Sequence, residues 1–243
     1  MAVKAKPAHK PAKASGRTAD ATSILTELKR NASQQYKADM AKRYGIVTSA
    51  PVYGVPIAKL RAKAKRIGHD HALAGQLWAS GVHDARMLAT MVGEPAKVTP
   101  AEMDRWARAF DNWALVDTAC FHYWDRTPHA FTQIEKWAKA KDEFVKRAAF
   151  ALLASCALHK QGTDAQFLRG LELVEAHARD PRTFVKKAVN WALRAIGGAK
   201  SAKLRAAARA LAERLAASDD ASERWVGRDA MKAFAKARQG DGR

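Results

Sequence analysis

The run from Phe110 to Trp124, FDNWALVDTACFHYW, sets the Asp117 carboxylate between two indoles. At 100° per residue, Trp113, Asp117, Cys120 and Trp124 fall on one helical stripe, with Phe110 and Phe121 beside it. A carboxylate stripped of water without a partner either protonates or recruits a cation. Asp117 therefore has two readings. It is satisfied within the protein, by a lysine or arginine of the next repeat such as Arg147 or by capping a neighbouring helix, or it stands ready for positive charge arriving from outside. His122 falls opposite Trp113 and reads as a packed or exposed side chain, not a catalytic one.

A second constellation is FVKKAVNWALRAIGG, residues 184–198. Phe184, Val185, Ala188, Val189, Ala192, Leu193 and Ile196 cover one side of this helix, and Lys186, Lys187, Asn190 and Arg194 the other. Trp191 falls on the border. An indole there rests its body on the core while offering a face to whatever Lys187 and Arg194 attract, or it simply closes the core. In the related stretch FVKRAAFALL, Arg147 lies away from the apolar side and could grip a phosphate or remain plain surface charge. The segment YGVPIAKLRAKAKRIG, residues 53–68, reads as a basic helix after a proline start.

Other chemistry lacks a footprint. No phosphate-binding GxxxxGK[ST] loop, GxGxxG, HExxH or CxxC pair occurs, so nucleotide hydrolysis, dinucleotide redox chemistry and zinc catalysis are not indicated. His69 and His71 lie beside a glycine and read as a solvated turn. Cys120 and Cys156 sit singly in apolar helical patterns, which fits a reducing cytoplasm. No apolar run approaches the ~20 residues needed to span a bilayer, and the first residues lack the apolar core of a secretory signal.

The 243-residue chain is 48% hydrophobic and 28% charged, a globular composition, yet 43 Lys and Arg against 24 Asp and Glu leave a net charge of +19. Such an excess points to a polyanionic partner. Residues 1–19 hold Lys4, Lys6, Lys10, Lys13 and Arg17 and no acid, so residues 1–20 read as a basic disordered tail that supplies only part of the charge.

The rest shows a 3.6-residue apolar period without strand-like alternation, which predicts an all-α fold of roughly a dozen short helices. Thr99-Pro100, Thr127-Pro128 and Asp180-Pro181 read as helix starts, and Gly45, Gly68, Gly81, Gly93, Gly162 and Gly197-Gly198 as stops. FVKRAAFALL from Phe144 and FVKKAVNWAL from Phe184 repeat at 40 residues, with a fainter echo in RWVGRDAMKAFAKA from Arg224. That period in helix pairs marks HEAT-like repeats, so residues 21–238 should form a curved solenoid with a basic concave side, followed by a disordered end at 239–243.

NWALVD, EFVKRAAFALLA and FVKKAVNWALRAIGG, in this order in an all-helical repeat chain, resemble the AlkD-like DNA alkylation repair family of HEAT-like-repeat DNA glycosylases. The resemblance implies a monomeric, monofunctional glycosylase that releases cationic N-alkylated purines of the 3-methyladenine and 7-methylguanine type from duplex DNA, without metal, cofactor or lysine nucleophile. It implies catalytic roles for Trp113, Asp117 and Trp191, and a phosphate contact at Arg147. Lys146, Lys187 and Arg194 join Arg147 as expected DNA-binding cations. The family also uses an aromatic residue from an N-terminal helix; Tyr36, Tyr44 and Tyr53 are available here, and Tyr44 is carried as the candidate lesion contact. Some relatives bind DNA without excising a base, so the alternatives are a HEAT-like protein that grips distorted or branched DNA, and a scaffold whose basic groove holds an acidic peptide.

Overall fold

The computed structural model describes residues 20–199 and 201–240, so most of the expected basic tail lies outside the described residues. Those residues are all helical apart from turns and loops. In chain order the helices are α1 (Ala21–Arg30), α2 (Gln34–Lys42), α3 (Ile57–Ile67), α4 (His71–Ala79), α5 (His83–Val92), α6 (Pro100–Ala107) and α7 (Trp113–His122). After a 3-10 turn at Trp124–Arg126 come α8 (Ala130–Ala138), α9 (Glu143–His159), α10 (Asp164–His177), α11 (Thr183–Gly197), α12 (Ala202–Ala216) and α13 (Ala221–Gly240). No helix among the described residues is long and apolar enough to cross a membrane.

Local chemistry sets the ends. The Asn112 carboxamide oxygen accepts from Leu115 N at 3.1 Å and starts α7. Asp142 Oδ1 accepts from Phe144 N and Val145 N, both at 2.9 Å, and starts α9. Thr99 caps α6 with Pro100 in its first turn, as the sequence predicts. The other two proline starts fall two residues late: Asp180 accepts from Arg182 N and Thr127 from His129 N, and the helices begin at Thr183 and Ala130. There the side chain closes a turn before the helix instead of capping it. At its far end α13 runs to Gly240, past the boundary at 238 read from the sequence, and residues 241–243 lie outside the described residues.

The odd-numbered helices from α3 to α13 pack each on the next and form one layer; α8, α10 and α12 form a second layer behind it. Ala148, Ala149, Phe150, Leu152 and Leu153 of α9 are fully buried between the layers. Trp78 and Trp106 stack at 4.1 Å and 1°, and Trp124 packs against Trp106, Phe110 and Trp137, joining α4, α6 and α8.

Gly227 lies where α13 crosses α12, and a Cβ there would overlap backbone atoms of Ala212, Leu215 and Ala216. Gly75 in α4 has nothing within 4 Å of an added Cβ. Gly227→Ala is therefore expected to destabilise by about 1–3 kcal/mol through overpacking, whereas Gly75→Ala stabilises by about 0.5–1 kcal/mol through helix propensity. Urea unfolding of the two variants, read for opposite signs, checks the crossing.

Candidate functional site

Helix α7 presents Trp113, Asp117 and Phe121 to one side, and α11 presents Trp191. These side chains line a common cleft of about 490 Å³, which α2 and the loop after it close with Tyr36, Met40 and Tyr44. Seventy-four residues separate Asp117 from Trp191, and the stacking of α7, α9 and α11 brings them together.

Asp117 is not alone. Its Oδ1 accepts from Arg147 Nε at 3.0 Å and its Oδ2 from Arg147 Nη2 at 2.7 Å, while Arg147 Nη1 donates to the Phe184 carbonyl at 2.7 Å. One guanidinium thus ties α7, α9 and α11. The Arg147 side chain is 7% exposed and that of Asp117 22%, so part of the Asp117 side chain stays open at the cleft it lines. Burial pushes the Asp117 carboxyl above the usual value, and the adjacent Arg147 opposes that rise. Of the two readings of Asp117 from the sequence, the internal arginine partner is present.

The same geometry corrects the expectation that Arg147 faces phosphate. It lies beneath the surface because repeat stacking covers the start of α9 with α7 and α11, and its donors are directed at internal acceptors. Lys146 is likewise turned inward, 13% exposed and 3.3 Å from Asp180, whose carboxyl Arg182 and Lys146 hold at about 2. Lys187 and Arg194 are exposed, with Arg194 at 3.9 Å from Asp229.

The tryptophan stripe also divides. Helix α7 ends before Trp124, which turns into the core with no exposed surface, and Cys120 is fully buried. The second indole at the cleft is Trp191, half-buried at the wheel border where the sequence puts it. Asn190, expected on the outer face, is buried and donates to the Val226 carbonyl at 3.0 Å, because α13 covers that flank.

The sequence did not reveal what fixes the N-terminal rim. Asp111 accepts from Thr48 Oγ1 at 2.7 Å and Ser49 N at 2.8 Å; burial raises its carboxyl, and these bonds with one from Asn112 outweigh it and hold it below the usual value. Asp84 accepts from Tyr53 N at 2.8 Å and Val55 N at 2.7 Å. Trp113 Nε1 donates to the Tyr44 carbonyl at 3.1 Å. Only the acid directly before the helix cap, in FDNW, hinted at such a tether. Tyr36 and Tyr44 line the cleft, while Tyr53 packs on the core.

Removing Arg147 tests this arrangement. Arg147→Met leaves a largely buried carboxylate without its cation, expected to cost about 3 kcal/mol. Its pKa would rise further above the unfolded value, so the folded state holds the proton more tightly. The loss of stability should therefore grow as pH rises above the ordinary Asp range, and be smaller at pH 4 than at pH 7.5. Unfolding of both proteins across that range gives the sign; a pH-independent loss contradicts it.

The model of the family described as DNA alkylation repair enzyme matches residues 24–234. A solved structure, described as belonging to a new family of proteins related to the HEAT-like repeat DNA glycosylases with affinity for branched DNA structures, superposes with a TM-score of 0.70. The two share 21% identity over 80% of this chain and 82% of that one, which shows the HEAT-like fold. No curated protein matches the sequence. With nearly its whole helical body matched, this chain belongs to the DNA alkylation repair enzyme family.

Proposed function

We propose that the chain is a DNA glycosylase that hydrolyses the N-glycosidic bond of cationic N-alkylated purines in duplex DNA. The observation that carries this reading is the convergence of Trp113, Asp117 and Trp191 on one cleft beside exposed cations. An alkylated purine already bears positive charge. When the bond from C1′ to nitrogen breaks, the bonding pair leaves with the purine, which becomes neutral, and the sugar takes on oxocarbenium character. The open edge of Asp117 stabilises that cation and orients a water whose oxygen bonds to C1′ and whose proton passes to solvent. The faces of Trp113 and Trp191 add cation–π support of about 0.5–2 kcal/mol each. Arg147 is a positioning residue: it keeps Asp117 ionised and aimed. Lys187 and Arg194 supply phosphate contacts, and Tyr44 the rim contact with the lesion.

A second reading follows from the same ion pair. Arg147 already offsets the charge of Asp117, and the solved relative in fold is described by its affinity for branched DNA, so a protein that grips distorted DNA without excision would keep this architecture.

Chromatography of free bases separates the two. The wild type should release 3-methyladenine or 7-methylguanine from methylated duplex. Asp117→Asn should slow release on the order of 100-fold or more while changing duplex affinity less than about threefold. If the wild type releases no base yet prefers a four-way junction to linear duplex, the glycosylase reading gives way to the second.

A further inference from the structure

The repeat continues past the cleft. Arg147, Lys187 and Arg228 occupy the same position in successive units, as do Phe144, Phe184 and Trp225. In the first pair the rings touch, Phe144 to Phe184 at 5.3 Å between centroids. The last unit breaks the pattern by placing an indole where its predecessors have phenylalanine, and Trp225, at 38%, is the most exposed tryptophan among the described residues. Lys186 Nζ of α11 lies 5.2 Å from its ring centroid.

Spacings of three and four put Trp225, Arg228 and Lys232 on one face of α13, while Val226, Ala230 and Phe234 of the same helix are buried. Arg228 and Lys232 are exposed and, like Lys187, have no carboxylate within ion-pairing distance among the described residues. Of the acids of α13, Asp229 is drawn toward Arg194 and Glu223 pairs with Arg179. Because α11 and α13 pack side by side in the same layer, this face continues the row of Lys187 and Trp191 away from the cleft.

A row of unpaired cations alone fits any duplex backbone. An exposed indole with a cation at its ring is a different device, since every base has a π-face and stacks on an aromatic platform without regard to sequence. From this juxtaposition we infer a second DNA site on α11 and α13, at which Trp225 stacks an unpaired base next to duplex and Lys186, Arg228 and Lys232 hold the flanking phosphates. It rests on the DNA-binding part of the proposed function and is independent of base excision.

The test compares equilibrium binding to a continuous duplex and to the same duplex carrying a two-nucleotide gap. The wild type should prefer the gapped DNA by roughly tenfold, the scale of one stacked base. Trp225→Ala should remove that preference while leaving duplex affinity within about twofold, and Trp225→Phe should keep most of it, which separates stacking from a folding defect. Arg228→Gln with Lys232→Gln, both at exposed positions, should flatten the salt dependence on gapped DNA by roughly 1.5 to 2 log–log units. The inference is overturned if the wild type shows no preference, if Trp225→Ala keeps it or weakens both substrates equally, or if the salt slope of the double variant is unchanged. Failure of the wild type to bind either DNA would bring down the DNA-binding reading as well, whereas equal binding to both removes this site alone.

Discussion

The cleft depends on one bidentate ion pair. Asp117 and Arg147 lie where repeats stack, and neither charge is well solvated there without the other. The third guanidinium contact, to the Phe184 carbonyl, extends the pair to α11 and so fixes the helix that carries Trp191 relative to the helix that carries Trp113. The pair fixes position as well as charge: it sets the orientation of two carboxylate oxygens and leaves part of one side chain at the cleft. A carboxylate held against the pull of burial beside apolar rings gains more from a new positive charge than one in water, since the local dielectric is low.

Much of this was legible in the sequence because stacking repeats is a periodic problem. The 40-residue echo between Phe144 and Phe184 marks helices in the same layer, and the wheel of α11 puts Trp191 at the border it occupies. The order NWALVD, FVKRAAFALLA, FVKKAVNWAL carried the family. What the wheel could not convey is which neighbour covers the polar side of each helix. Arg147, Lys146 and Asn190 all look outward on an isolated helix, and all three are covered and satisfied by neighbouring repeats. Trp124 failed for a local reason, since α7 ends at His122 and its successor turns into the aromatic core. The rim loop was invisible because its anchors, Asp111 and Asp84, act over separations of roughly thirty to sixty residues, beyond any helical pattern.

Burying some cations inside the stack also sorts the charge. Lysines and arginines consumed by Asp117, Asp180 and the helix carbonyls stabilise the solenoid, and those left over, Lys187, Arg228 and Lys232 among them, lie on solvated faces. The cationic surplus of the helical body is therefore left on surface that is free to meet a polyanion.

In the proposed function the open edge of Asp117, held by Arg147 between Trp113 and Trp191, is complementary to a positive sugar. The most direct measurement compares affinity for a duplex with one cationic pyrrolidine in place of a deoxyribose against the same duplex bearing the uncharged tetrahydrofuran. The cationic duplex should bind at least tenfold tighter, on the order of 1.4 kcal/mol, and Asp117→Asn should erase the difference. Equal affinity of the wild type for the two duplexes would contradict it.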